Sequence, residues 1–142
     1  MARIRTTLSK KNKYYLSKSA FREAYYHALR YQEWKDRYNT LDGIKGIDYS
    51  ADRVSSGVPG HPTESIAIQK EELSRKIKMI ESLVSDVAPG IERYLLKAVT
   101  TEGITFEYLK QMMDIPCGKT YYYGKRRMFY AKLSAELDKK VR

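Results

Sequence analysis

Apolar positions recur along most of the chain in steps of three and four, the spacing of a helix with one buried stripe. From about Leu16 to Leu41 they are Phe21, Ala24, Tyr25, Ala28, Leu29, Tyr31, Trp34, Tyr38 and Leu41, which predicts a single amphipathic helix. From Thr63 to Val87 the pattern is cleaner, with Ile66, Leu73, Ile77, Ile80, Val84 and Val87 tracing a heptad seam interrupted only at Lys70. Pro62 and Thr63 start that helix and Pro89-Gly90 stops it. Between the two runs lies a glycine- and proline-bearing connection, Gly43 to Pro62, with turn signals at Ser55-Ser56-Gly57 and Val58-Pro59-Gly60. Two long helices and one such connection predict an antiparallel pair, each covering the other's stripe, although the seam could instead join two copies in a homodimer.

The last third reads as shorter helices. Ile91 to Val99 has one apolar face, and Thr105 is placed to cap a helix running to Met113. Asp114-Ile115-Pro116-Cys117-Gly118 then forms a turn, since Pro116 cannot sit inside a helix and Ile115 before it avoids the α region. A final helix runs from about Lys119 to Lys139. Short helix, turn and longer basic helix is the spacing of a helix-turn-helix, with Ile115 as an apolar plug between its helices. No stretch alternates long enough for a strand. The expectation is an all-α protein: an N-terminal helical hairpin over 1–88 with loop 43–62, and a C-terminal helix-turn-helix over 89–142.

Charge sharpens this picture. The 142 residues carry 27 Lys+Arg and 17 Asp+Glu, a net charge of +10. Residues 1–47 contribute +7, 48–104 contribute −2 and 105–142 contribute +5, so both ends are basic and the middle is nearly neutral. Local basic density suits a polyanionic partner, while Lys-Arg runs also serve simply as solvated faces. No apolar run is long enough to cross a bilayer, so no membrane partner is expected. MARIRTTLSKKNKYY has no apolar segment behind its charge, so no secretory leader is expected either. One cysteine, Cys117, fits a reducing, cytoplasmic setting. Thirteen tyrosines against three phenylalanines favour half-buried surfaces and interfaces.

With Tyr121, Met128, Phe129 and Leu133 facing inward, the last helix turns Lys119, Thr120, Tyr122, Tyr123 and Arg126 outward in its N-terminal half. Arg126 is then the candidate guanine reader, while Lys125, Arg127 and Lys132 suit phosphate. No acidic residue stands between Asp114 and Glu136 to oppose a phosphate. Gly124 lies on this register near the inner face, where a missing side chain lets the preceding helix approach. The YYY–KRR cluster could also stack single-stranded bases, but its helical frame favours a duplex. The basic arm, Arg3, Arg5, Lys10, Lys11 and Lys13 with Lys18 beyond, could follow a groove or serve only as a solubilising tail. Cys117 lacks a neighbouring His or acid to activate it and fits an N-cap position; His27 and His61 read as a helix-face and a loop residue. No carboxylate, His or Cys grouping has the spacing of a catalytic, metal or cofactor site, so no enzyme, metal or cofactor is expected.

The stretch ALRYQEWKDRYNTLDGIKGIDYSADRVSSGVPGHPTESIAIQKEELSRKIKMIESLV, followed by ITFEYLKQMMDIPCGKTYYYGKRRMFYAKL, resembles the RinA/ArpU-like late-gene regulators of phages and prophages. Its most specific part is Ile115-Pro116, Thr120-Tyr121-Tyr122 and Arg126-Arg127, matching the turn, Thr-Tyr-Tyr and Arg pair of that pattern; Gly124 departs from it. The resemblance implies a DNA reader similar to sigma-factor region four, control of late transcription, and contact with host RNA polymerase, on the nucleoid of a bacterial host. Two competing readings are a small terminase subunit that recognises packaging DNA and a helical inhibitor of a host nucleic-acid enzyme.

Overall fold

The structure is a computed structural model describing residues 12–46 and 62–141. It is all-helical, with no strand among the described residues. Among the described residues six helices follow in order: α1 (Lys18–Leu29), α2 (Tyr31–Gly46), α3 (Pro62–Val87), α4 (Glu92–Thr100), α5 (Phe106–Met113) and α6 (Lys119–Val141). Arg3, Arg5, Lys10, Lys11, His61 and most of loop 43–62 lie outside the described residues.

The single N-terminal helix expected over 16–41 is two. Ser17 caps α1 by accepting the Ala20 N–H on its hydroxyl at 3.1 Å. At Arg30 the chain tightens, with the Arg30 N–H bonding to the His27 carbonyl at 3.1 Å. It then restarts at once, as the Trp34 N–H takes the Arg30 carbonyl at 3.0 Å. The apolar stripe crosses this break without losing phase: Phe21, Ala24, Tyr25 and Ala28 are buried before it, Tyr31, Trp34 and Leu41 after it.

Helix α2 lies along α3. The Tyr31 hydroxyl donates to Glu81 Oε2 at 2.5 Å, Arg37 Nη2 to Gln69 Oε1 at 3.3 Å, and Lys70 Nζ to Asp42 Oδ1 at 2.6 Å. The start of α2 thus meets the C-terminal half of α3 and its end meets the N-terminal half, as in an antiparallel pair. The α3 seam is covered within the chain: Leu73, Ile77, Ile80, Val84 and Val87 are all buried. Gly90, at φ +94°, supplies the left-handed turn after Pro89, and its N–H is taken by Glu92 Oε1 at 2.9 Å.

Helix α1 packs on α6 as well as on α4. The Phe21 ring meets Tyr130 edge-on with centroids 5.1 Å apart, and Tyr25 sits 6.2 Å from the same ring. One apolar cluster therefore runs from Phe21 to Leu133, and the packing crosses the boundary expected after residue 88. Each large side chain buried in such a cluster contributes roughly 1.5–3 kcal/mol of transfer free energy, and α6 packs more extensively on α1 and α3 than on α4.

Candidate nucleic-acid interface

The local order of α5 and α6 follows from a few backbone groups. Thr105 accepts the Tyr108 N–H on its hydroxyl at 3.1 Å and starts α5, which buries Leu109 completely. The helix ends at Asp114, whose φ of 55° is the left-handed conformation usually given to glycine. The Asp114 and Ile115 N–H groups both return to the Leu109 carbonyl, Ile115 at 3.1 Å. That hydrogen bond turns the Ile115 side chain inward, where it is fully buried as the expected plug. The Gly118 carbonyl accepts the Tyr122 N–H at 3.1 Å and opens α6. Gly118, not Cys117, therefore stands at the helix start. Cys117 is half-buried against the core, and burial pushes its thiol up while the Lys110 charge works against that.

The register of α6 differs by one residue from that expected. Tyr122 is buried at 1 % exposure and Tyr121 is exposed at 48 %, the reverse of the expected assignment. The Phe106 ring, centroid 5.7 Å from Tyr122, fixes the choice, because the N-terminus of α5 faces this side of α6. Desolvation accordingly holds the Tyr122 hydroxyl far above the ordinary tyrosine pKa. Below Tyr122 the inner face continues through Phe129, Tyr130, Leu133 and Ser134, while Met128, expected inside, is only half-buried. Tyr123 is half-buried with its ring edge-on to Tyr122 at 4.8 Å, so it flanks the core more than it projects.

Arg126, expected to turn outward as the guanine reader, is half-buried, with its guanidinium carbon 5.0 Å from the Tyr130 ring centroid. Its charge opposes the upward shift that burial imposes on Tyr25, Tyr122 and Tyr130; Tyr130 is still pushed up to about 12. The guanidinium beside Tyr130 makes a cation–π contact within the protein, and its long stem packs along the helix. Gly124 also departs from its expected role: a Cβ added there meets nothing within 4 Å, so no neighbouring helix requires a glycine.

On the side of the N-terminal half away from Tyr122, Thr120 and Tyr121 are exposed and Gly124 and Lys125 half-exposed, while Met128 on the same side is half-buried against the core. Lys125 Nζ stands 5.2 Å from the Tyr121 ring centroid, a cation over an exposed aromatic face. Arg127 is half-exposed and Lys132 exposed along the flanks. Lys119 is exposed but not alone, since Glu107 of α5 reaches it at 3.5 Å; a pair this solvated is worth well under about 1 kcal/mol and is easily exchanged for a phosphate. Lys13 is exposed with Nζ 5.1 Å from the Tyr14 ring, and it is the one member of the expected basic arm (Arg3, Arg5, Lys10, Lys11, Lys13) within the described residues.

A signal for the true register was present in the chain. Counting back from Leu137 and Leu133 in helical steps reaches Tyr130, Arg126 and Tyr122, and this passes over Tyr121. Among the described residues, no group of three His, Cys, Asp or Glu side chains is placed to hold a metal ion, and no helix is long and apolar enough to cross a membrane. Set against known protein families, curated proteins and solved structures, the chain finds no match.

Proposed function

We propose that this chain is a sequence-specific duplex DNA-binding protein, encoded by a phage or prophage, that regulates transcription, in the sense of activating late genes. The observation that carries the reading is the α5–turn–α6 unit. It presents a polar, aromatic and cationic strip on the outward side of a helix with no acidic residue for its first seventeen positions, Lys119 to Ala135. In this reading residues 89–142 are a helix-turn-helix and 1–88 a helical hairpin that braces it through α1 and α3. Thr120, Tyr121 and Lys125 meet base edges in the major groove. Lys119, Arg127 and Lys132 contact phosphates, and the basic N-terminal arm adds affinity without specificity.

A regulator is favoured over the ring-forming terminase subunit because the α3 seam, the most regular heptad of the chain, is buried inside one copy. A homodimer would have to use another surface. Contact with host RNA polymerase on the bacterial nucleoid is what such an activator needs in addition to DNA. No catalytic step, cofactor or metal enters the proposal.

The test is to immunoprecipitate the protein with its DNA from an induced lysogen and sequence the bound fragments. Enrichment upstream of late genes is the expected result. Enrichment at a packaging site would replace the regulator with the terminase, and no enriched DNA would end the reading altogether.

A further inference from the structure

The cations of this protein divide into two groups. On α2 and α3 most are engaged within the fold: Arg37 with Gln69, Lys70 with Asp42 and Arg75 with Glu71, while Lys35 and Lys76 stand over the rings of Tyr31 and Trp34. Lys18 and Arg22 of α1 and Arg127 of α6, in contrast, have no hydrogen bond, ion pair or ring contact among the described residues. Lys132 shares that condition further along α6. Lys78 on α3 is unengaged too, but it borders a shallow groove with Glu81 and Asp86, and Lys97 on α4 is half-buried.

The fold brings Lys18, Arg22 and Arg127 to one seam. Phe21 and Tyr130 meet there, ring centroids 5.1 Å apart, where α1 packs on α6. Arg22 follows Phe21 directly and Lys18 precedes it by one turn, while Arg127 precedes Tyr130 by one turn. Lys18 and Arg22 are exposed and Arg127 half-exposed, so the row is open to solvent. Two acids are nearby: Glu23, which follows Arg22 and lies about 100° further round α1, and Glu102, whose field reaches the Tyr25 hydroxyl. Neither forms an ion pair with the three cations.

Taken alone, this row opposes folding. Lys18 and Arg22 stand at i and i+4 of one helix, where like charges repel. Lys18 also opens a helix whose first turn has no acid, against the positive end of the helix dipole. No described side chain offsets that repulsion, whereas a polyanion laid across the seam would. We propose that the α1–α6 seam is a second contact surface for the DNA backbone, on which Lys18, Arg22 and Arg127 each face a phosphate. DNA read by the start of α6 thus continues across α1, and the N-terminal hairpin binds it directly as well as bracing the C-terminal unit. This inference rests on the duplex-binding reading above and extends it to a helix outside the helix-turn-helix.

Phosphate contacts are independent of sequence, so the experiment uses the full chain, a mixed-sequence duplex and a salt series. Each phosphate contact adds roughly 0.9 to the slope of log affinity against log salt. Arg22→Ala should lower the wild-type slope by about one and weaken binding roughly tenfold at 0.1 M salt; with Lys18→Ala added, the slope should fall by about two. Arg75→Ala removes the same charge from α3, where Arg75 pairs with Glu71, and should leave the slope unchanged. Lys18→Glu separates binding from folding, because an acid suits a helix start: it should raise the melting temperature yet weaken binding. If Arg22→Ala and Lys18→Ala keep the wild-type slope, or if Arg75→Ala lowers it as much as Arg22→Ala, the seam makes no phosphate contact while duplex binding stands. If the wild type shows no salt-dependent binding to the duplex, the duplex-binding reading falls and the inference falls with it.

Discussion

The Arg126 guanidinium lies over the Tyr130 ring, 5.0 Å from its centroid, whereas its neighbour Arg127, likewise half-buried, stands over no ring of the described residues. Two adjacent arginines of the same helix therefore carry different loads. Arg126→Ala removes a cation–π contact and the packing of a long aliphatic stem, at a cost of roughly 1–2 kcal/mol. Arg127→Ala should stay within about 0.5 kcal/mol of wild type. Urea unfolding of the two variants separates them. Equal stabilities would mean that Arg126 is not held by the tyrosines.

Burial raises the hydroxyl pKa of Tyr25, Tyr31, Tyr122 and Tyr130 above the ordinary 10.0, Tyr31 with help from its hydrogen bond to Glu81. For each, the neutral form is the one the fold accommodates. The resulting stability is intact below pH 10 and is lost as the pH climbs from there through the folded value, about 12 for Tyr130. Ultraviolet titration of the native protein should show a late-ionising group of tyrosines whose ionisation coincides with loss of helical circular dichroism. Ionisation of all tyrosines near their ordinary pKa with the helices intact would contradict this packing.

Asp114 holds the left-handed turn between α5 and α6 at φ 55°. Asp114→Gly relieves that conformation and should be neutral or stabilising by up to about 1 kcal/mol. Asp114→Val places a β-branched side chain where it is strained, and should cost on the order of 1–3 kcal/mol. Thermal melts of both variants check the order; a valine variant as stable as the glycine one would show that the turn is not held left-handed.

Much of this fold was legible in residues that act locally. Pro62, Pro89-Gly90, Thr105 and Pro116 mark helix ends through their own backbone chemistry, and each lies at or within three residues of an observed boundary. Ile115 was readable as a plug because an apolar side chain in a short turn has no other place to go. The break at Arg30 was not readable: Leu29-Arg30-Tyr31 contains no glycine or proline, and the apolar stripe keeps its phase across it. The α6 register failed for a similar reason. Tyr121, Tyr122 and Tyr123 are chemically identical, so only the Phe106 ring and the lower half of the helix decide which one is buried. The error carried over to Arg126 and Gly124, because both were placed by the same register.

The central claim is that the outward strip of α6 meets duplex DNA, and a salt series on single variants tests it most directly. The wild-type protein should bind its selected duplex with an affinity that falls steeply and linearly, in logarithmic terms, with salt. Lys132→Ala should weaken binding and lower that slope by about one; Tyr121→Ala should weaken specific binding more than binding to unrelated duplex. If the wild type shows no salt-dependent binding, or if both variants bind as tightly as wild type with the same slope, α6 is not a DNA-reading helix.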